Sequence, residues 1–143
     1  MPYQYLEDIT SADMAFEAQG ETLDELFTSA ALATTNVMVR NLKKVKAKVE
    51  RYVAIETEDV EQLLYKFLQD IIYYKDSQML LFGRYDVNIE SSDGKYKLKA
   101  KLYGERISMK KHDLVVDVKA VTMHKFEVKR TSKGWTATVV LDI

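Results

Sequence analysis

Glu58-Asp59-Val60-Glu61-Gln62-Leu63-Leu64-Tyr65-Lys66-Phe67-Leu68-Gln69-Asp70-Ile71-Ile72 is the stretch from which the fold can be worked out. Val60, Leu63, Leu64, Phe67, Leu68, Ile71 and Ile72 recur at i, i+3 and i+4, so a helix here carries one unbroken apolar stripe. Its acidic first turn complements the positive end of the helix dipole. Glu61, Gln62 and Gln69 fall off the stripe and are expected to look outward. Upstream, Thr22-Leu23-Asp24-Glu25 spells a capping box ahead of Leu23, Leu26, Phe27, Ala30, Ala31, Ala33 and Val37 at helical spacing. That predicts another helix, ending near Arg40-Asn41.

Outside these helices the period drops to two. Short aromatic runs at residues 3–7 and 14–18 read as strands, the second closed by Gly20. Residues 44–55 open on Lys44-Val45-Lys46-Ala47-Lys48-Val49, a strict alternation that predicts a half-exposed strand. Tyr85, Val87 and Ile89 alternate with polar residues, and Ser91-Ser92-Asp93-Gly94 then turns into Lys95-Tyr96-Lys97-Leu98-Lys99-Ala100-Lys101-Leu102, which makes a hairpin. A second hairpin joins residues 125–130 to 135–142 through Thr131-Ser132-Lys133-Gly134. The expected architecture is α+β: an antiparallel or mixed sheet built largely of hairpins, with two amphipathic helices packed on one face.

At 143 residues the chain is expected to form a single domain over 1–143. A net charge of −1 with 30% charged residues gives no global pull towards nucleic acid or membrane. No apolar run approaches a membrane span, and the start lacks a basic region followed by an apolar one. The absence of cysteine removes disulfides, thiolate catalysis and Cys-type zinc sites, and fits a reducing cytosol. His112 and His124 show no zinc-ligand spacing.

The chemistry on offer lies at the ends. Near the start lies an acidic stretch, Asp8-Ile9-Thr10-Ser11-Ala12-Asp13-Met14-Ala15-Phe16-Glu17, and at the other end a closing run, Val139-Val140-Leu141-Asp142-Ile143. Alternation puts Trp135, Ala137, Val139 and Leu141 on one face, so Asp142 falls on the other with Thr136, Thr138 and Val140. Taken alone, such an aspartate is more often simply solvated. If Asp13 folds against it, however, Asp13, Asp142 and the Ile143 main-chain and terminal oxygens form a cluster of hard donors suited to a hard divalent cation. Rows of lysine, Lys95-97-99-101 and Lys44-46-48, could track a phosphate backbone. Lysine also guards exposed sheet edges, and no aromatic residue is expected to interleave on that face to stack bases, so direct RNA binding is disfavoured.

Residues 8–20, the pairs Leu26-Phe27 and Ala30-Ala31, Lys111-His112-Asp113-Leu114, Val118-Lys119-Ala120-Val121-Thr122-Met123-His124 and the closing 139–143 together resemble the archease family over nearly the whole chain. The resemblance implies a cytoplasmic, non-enzymatic accessory protein of the RtcB-type tRNA-splicing RNA ligase, one that promotes the ligase's guanylylation and turnover and broadens its NTP use. It implies a metal site at Asp13, Asp142 and Ile143, described for the family as binding Ca²⁺, with Mg²⁺ or Mn²⁺ as alternatives. Lys111 and Lys119, lying in two of the family motifs, become candidates for contact with phosphate or an acidic ligase surface. Two departures stand out: Ile9 begins the stretch where many relatives read His-Thr-Ala-Asp, and Asp113 replaces a frequent Glu. The alternative function is a chaperone-like modulator of the oligomeric state of RNA-processing enzymes. A stand-alone metal hydrolase fits worst, because no nucleophile–base pair is visible.

Overall fold

Thr22 caps a helix as its spacing predicts: its Oγ1 accepts from the Glu25 amide at 3.2 Å, while Glu25 Oε2 accepts from the Glu21 amide at 2.9 Å. The reciprocal bond thus reaches one residue further back than in the usual capping box. The computed structural model describes residues 2–6 and 13–143, so Glu7, Asp8 and the other acidic-stretch residues before Asp13 lie outside the described residues. The elements run β1 (Tyr3–Leu6), β2 (Asp13–Gly20), α1 (Leu23–Met38), β3 (Val49–Thr57), α2 (Val60–Gln78), β4 (Leu80–Ser92), β5 (Lys95–Arg106), β6 (Ala120–Thr131) and β7 (Gly134–Asp142).

The strands divide between two antiparallel sheets, a four-stranded one of order β1-β2-β7-β6 and a three-stranded one of order β3-β5-β4. The α+β class and both hairpins are as the sequence predicts; the split into two sheets is not. Its physical basis lies in the helices. α1 is buried on most of its circumference and rich in Ala, Ser and Thr, which lets backbone approach closely, and it packs on β2, β7 and β1 of one sheet and on β4 of the other. α2 likewise meets β3, β4 and β5 on one side and β6 on the other. The apolar side chains of both helices and both sheets form one continuous core around Phe16, Phe27, Phe67 and Phe82. Within it the Thr35 and Tyr85 hydroxyls satisfy each other at 2.6 Å.

Polar groups of the helices close the sheet edges. Asp24, in the first turn of α1, accepts from the Ile89 amide on the outer strand β4 at 2.8 Å. From α2, Glu61 accepts from the Val128 amide at 2.9 Å and Gln69 from the Val121 amide at 3.0 Å, both on the outer strand β6. Glu61 and Gln69 therefore do not look outward as helical periodicity alone implies. They lie two turns apart on one helix row, alongside an open strand whose amides would otherwise lack acceptors.

The strand expected from Lys44 starts only at Val49. Leu42–Lys44 forms a 3-10 turn, Val45 is buried against Gly83, and the Lys46 amide is drawn out of any ladder by the Glu105 carboxylate at 2.7 Å. Lys44, Lys46 and Lys48 consequently form no strand row. The β4–β5 turn needs positive φ at both central residues, Asp93 at 52° and Gly94 at 73°, as a two-residue type I′ turn requires.

Candidate functional site

Antiparallel register decides what the ends of the chain bring together. In the pairing of β2 with β7, Met14 lies opposite Leu141 and Asp13 lies opposite Asp142. Leu141 is fully buried and Met14 packs on the core, so alternation turns Asp13 and Asp142 together to the other face. Directly opposed residues hold their Cβ atoms about 5 Å apart, a separation two carboxylates can bridge to share one cation. Both aspartates are half-buried. Two residues along, Ala15 lies opposite Val140 on the same face, and both are buried although neither belongs to the helix-packed core. The carboxylate pair therefore borders a covered apolar patch, where screening by water is weaker than on an open surface.

Neighbouring backbone holds Asp142 in place. The Lys119 amide donates to its carbonyl at 2.8 Å, Ala120 of β6 lies opposite it on the other side, and Ile143 follows, partly buried against the core. Lys119 is exposed one residue before β6 begins. The donors that the opposed carboxylates and the neighbouring Ile143 main chain would offer are all oxygen, the type that suits Ca²⁺, Mg²⁺ or Mn²⁺ and not a thiolate- or imidazole-seeking metal. Among the described residues no cluster of three or more Asp, Glu or His side chains gathers as a metal site, so main-chain oxygens or solvent would have to complete the coordination of any ion held here.

A second polar centre was not legible as a unit in the sequence. Glu105, at the end of β5, is buried with 5% exposure, and four groups converge on it: Lys111 Nζ at 2.8 Å, Lys48 Nζ at 3.6 Å, the Lys46 amide at 2.7 Å and His112 Nε2 at 3.1 Å. The Ser108 amide donates to His112 Nδ1 at 2.9 Å, which leaves the ring proton on Nε2 to meet the carboxylate. Burial on its own pushes the Glu105 carboxyl up. The hydrogen bonds from Lys111, the Lys46 amide and His112 outweigh it and hold the group down at about 2. The Lys-His pair of the sequence motif thus serves an internal carboxylate, and the Lys111 ammonium is turned towards it. The signal was present as a Glu six and seven residues before Lys-His, but nothing in the sequence says that a long irregular segment folds back over that strand.

The lysine row Lys95, Lys97, Lys99 and Lys101 runs along β5, which is the central strand of its sheet, so the edge-guarding explanation is corrected. Glu56 and Glu90 flank Lys97, and Asp86 lies opposite Lys101. Tyr52 of β3, 58% exposed, also lies opposite Lys101, and Arg84 of β4 stacks 4.6 Å above the ring of Tyr103 on β5. Aromatics are therefore present on this face, a second correction, but its positive charge is matched by acidic neighbours.

The model of the Archease protein family (MTH1598/TM1083) matches residues 3–143. The chain belongs to this family. Among archeases, the protein of Pyrococcus furiosus is 42% identical over 134 residues, covering 93% of this chain and 94% of the relative, and that of Methanosarcina mazei is 37% identical over 142 residues, covering 99% and 95%. The solution structure of Methanobacterium thermoautotrophicum protein 1598 superposes with a TM-score of 0.86 at 35% identity over 99% of both chains. The crystal structure of a Thermotoga maritima archease, described as a possible chaperone, shares the fold with a TM-score of 0.59 at 18% identity over 96% of this chain and 97% of its own. Among the described residues of this archease, no helix is long and apolar enough to cross a membrane.

Proposed function

We propose that this protein is a non-catalytic, metal-binding accessory factor of an RtcB-type tRNA-splicing RNA ligase, acting in the cytoplasm to promote guanylylation of the ligase and its turnover, and to broaden its NTP use. The observation that carries the reading is the cross-strand pairing of Asp13 with Asp142 beside Ile143. Transfer of a nucleotidyl group to a ligase nucleophile needs a divalent cation to neutralise the triphosphate and align it. An opposed carboxylate pair at a sheet end is suited to hold such an ion. Asp13, Asp142 and the Ile143 main chain would hold the ion, Ca²⁺ being the first expectation and Mg²⁺ or Mn²⁺ the alternatives. The ion would supply electrostatic neutralisation. Lys119, whose amide secures the Asp142 carbonyl, stands beside the pair as a candidate phosphate contact. Family membership supports the reading.

The test is covalent GMP transfer onto a matching ligase at limiting enzyme, with and without this protein, across a divalent-metal titration. The wild type should accelerate guanylylation, and Asp142→Asn, which keeps shape while removing one charge, should lose the acceleration and weaken calorimetric Ca²⁺ binding at least about tenfold. Equal stimulation by wild type and variant would remove metal chemistry from the mechanism. Absence of stimulation at every metal concentration would favour the chaperone-like alternative, for which a Thermotoga relative's description as a possible chaperone is the supporting observation.

A further inference from the structure

Residues 40–48 and 105–115 carry eight lysines and arginines against two carboxylates, in a chain whose net charge is −1. The fold brings these two segments together. The Arg40 amide donates to the Asp113 carbonyl at 2.8 Å, and the Lys46 amide meets Glu105 at 2.7 Å while Lys111 holds the same carboxylate at 2.8 Å. Both acids are used up inside the junction, Glu105 by Lys111, Lys48 and His112, and Asp113 by Arg40 at 3.0 Å. Lys43, Lys44, Lys46 and Lys110 are all exposed around it. The β5 lysine row differs in kind, since Glu56, Asp86 and Glu90 alternate with it. This junction is therefore a concentrated basic surface on a chain that is otherwise acidic.

Apolar side chains lie beside the charge. Met109 is 86% exposed, Val115 46% and Leu114 39%, all within the second segment. Long apolar side chains next to lysines suit a protein surface, where a few apolar anchors carry affinity and the charges steer the approach. A phosphate backbone would use the lysines and leave Met109, Leu114 and Val115 in water, and neither segment contributes an aromatic ring for a base to stack on. We propose that the junction of residues 40–48 with 105–115 is a docking surface for an acidic protein face carrying an apolar recess. The inference rests on the accessory-factor reading for the partner used to test it, and it concerns residues other than Asp13, Asp142 and Ile143.

The experiment measures affinity of the full chain for an RtcB-type ligase by biolayer interferometry at several salt concentrations. The wild type should weaken about tenfold between about 50 and 300 mM salt. Lys43→Glu/Lys44→Glu/Lys110→Glu should weaken binding about tenfold or more with an unchanged melting temperature, and Met109→Ser about threefold, mostly through faster dissociation. Lys97→Glu/Lys99→Glu on β5 should bind as wild type. If the ligase binds and the triple variant binds equally well, the docking surface is overturned while the accessory-factor reading stands. If the wild type itself shows no association, both fall. Binding of a short single-stranded RNA by the wild type that the triple variant loses would overturn the assignment to a protein partner in favour of nucleic acid.

Discussion

Glu105→Gln is the substitution that isolates charge from shape in the buried centre. Glutamine keeps the volume and can still accept from the Lys46 amide and His112, but it offers no charge to Lys111 or Lys48. In the folded protein the Glu105 carboxyl sits at about 2, against an ordinary value of 4.5. A depression of that size corresponds to about 3 kcal/mol of linked stability. Lys111 and Lys48 are 36% and 67% exposed, so screening by water reduces this to about 2 kcal/mol. Because the folded value is depressed, this stability is fully present above about pH 4.5 and drains away as pH falls towards 2. Urea denaturation of wild type and variant at a series of pH values reads the difference directly. At neutral pH Glu105→Gln should be less stable by about 2 kcal/mol, or roughly 6 °C in melting temperature for a chain of this size. The gap should narrow below pH 4.5 and close near pH 2. A gap of constant size across that range would show that Glu105 acts through geometry and packing, and the electrostatic account would be wrong.

Other perturbations probe separate parts of the structure. Gln69→Leu leaves the Val121 amide on the edge of β6 without an acceptor and should cost about 1–2 kcal/mol; faster hydrogen exchange at that amide, with α2 exchange unchanged, would identify the cause. Lys75, 5% exposed on α2, reaches the Asp117 carboxylate and donates to the Val118 carbonyl at 2.7 Å. Lys75→Met keeps the packing and leaves Asp117 in water but takes the donor from the buried Val118 carbonyl, so it should cost about 1–2 kcal/mol, whereas Lys75→Ala also opens a cavity and should cost about 3 or more in thermal denaturation. Gly94→Ala meets no neighbouring atom yet must adopt a φ of +73°, so it should cost about 1 kcal/mol with native circular dichroism retained.

The sequence by itself determined the local elements. Thr22 and Glu25 cap α1, the Val60-to-Ile72 stripe forms α2, and Asp93-Gly94 turns the β4–β5 hairpin, because each depends on side chains within one or two turns of one another. Alternation along the closing run likewise put Asp142 on the face opposite Leu141, and family resemblance pointed to Asp13 as its neighbour. Only the tertiary structure decided the long-range matters. Register between β2 and β7 sets Asp13 opposite Asp142, and a slip of one residue would send either carboxylate towards the core. Residues 44–48 have strand periodicity, but the carboxylate of Glu105, 59 positions away from Lys46, captures the amide that a strand would need. Glu61 and Gln69 look solvent-facing on a helical wheel, yet an unpaired strand edge sits beside them. In the last two cases a backbone amide needed an acceptor, and periodicity cannot say from which distant part of the chain that acceptor comes.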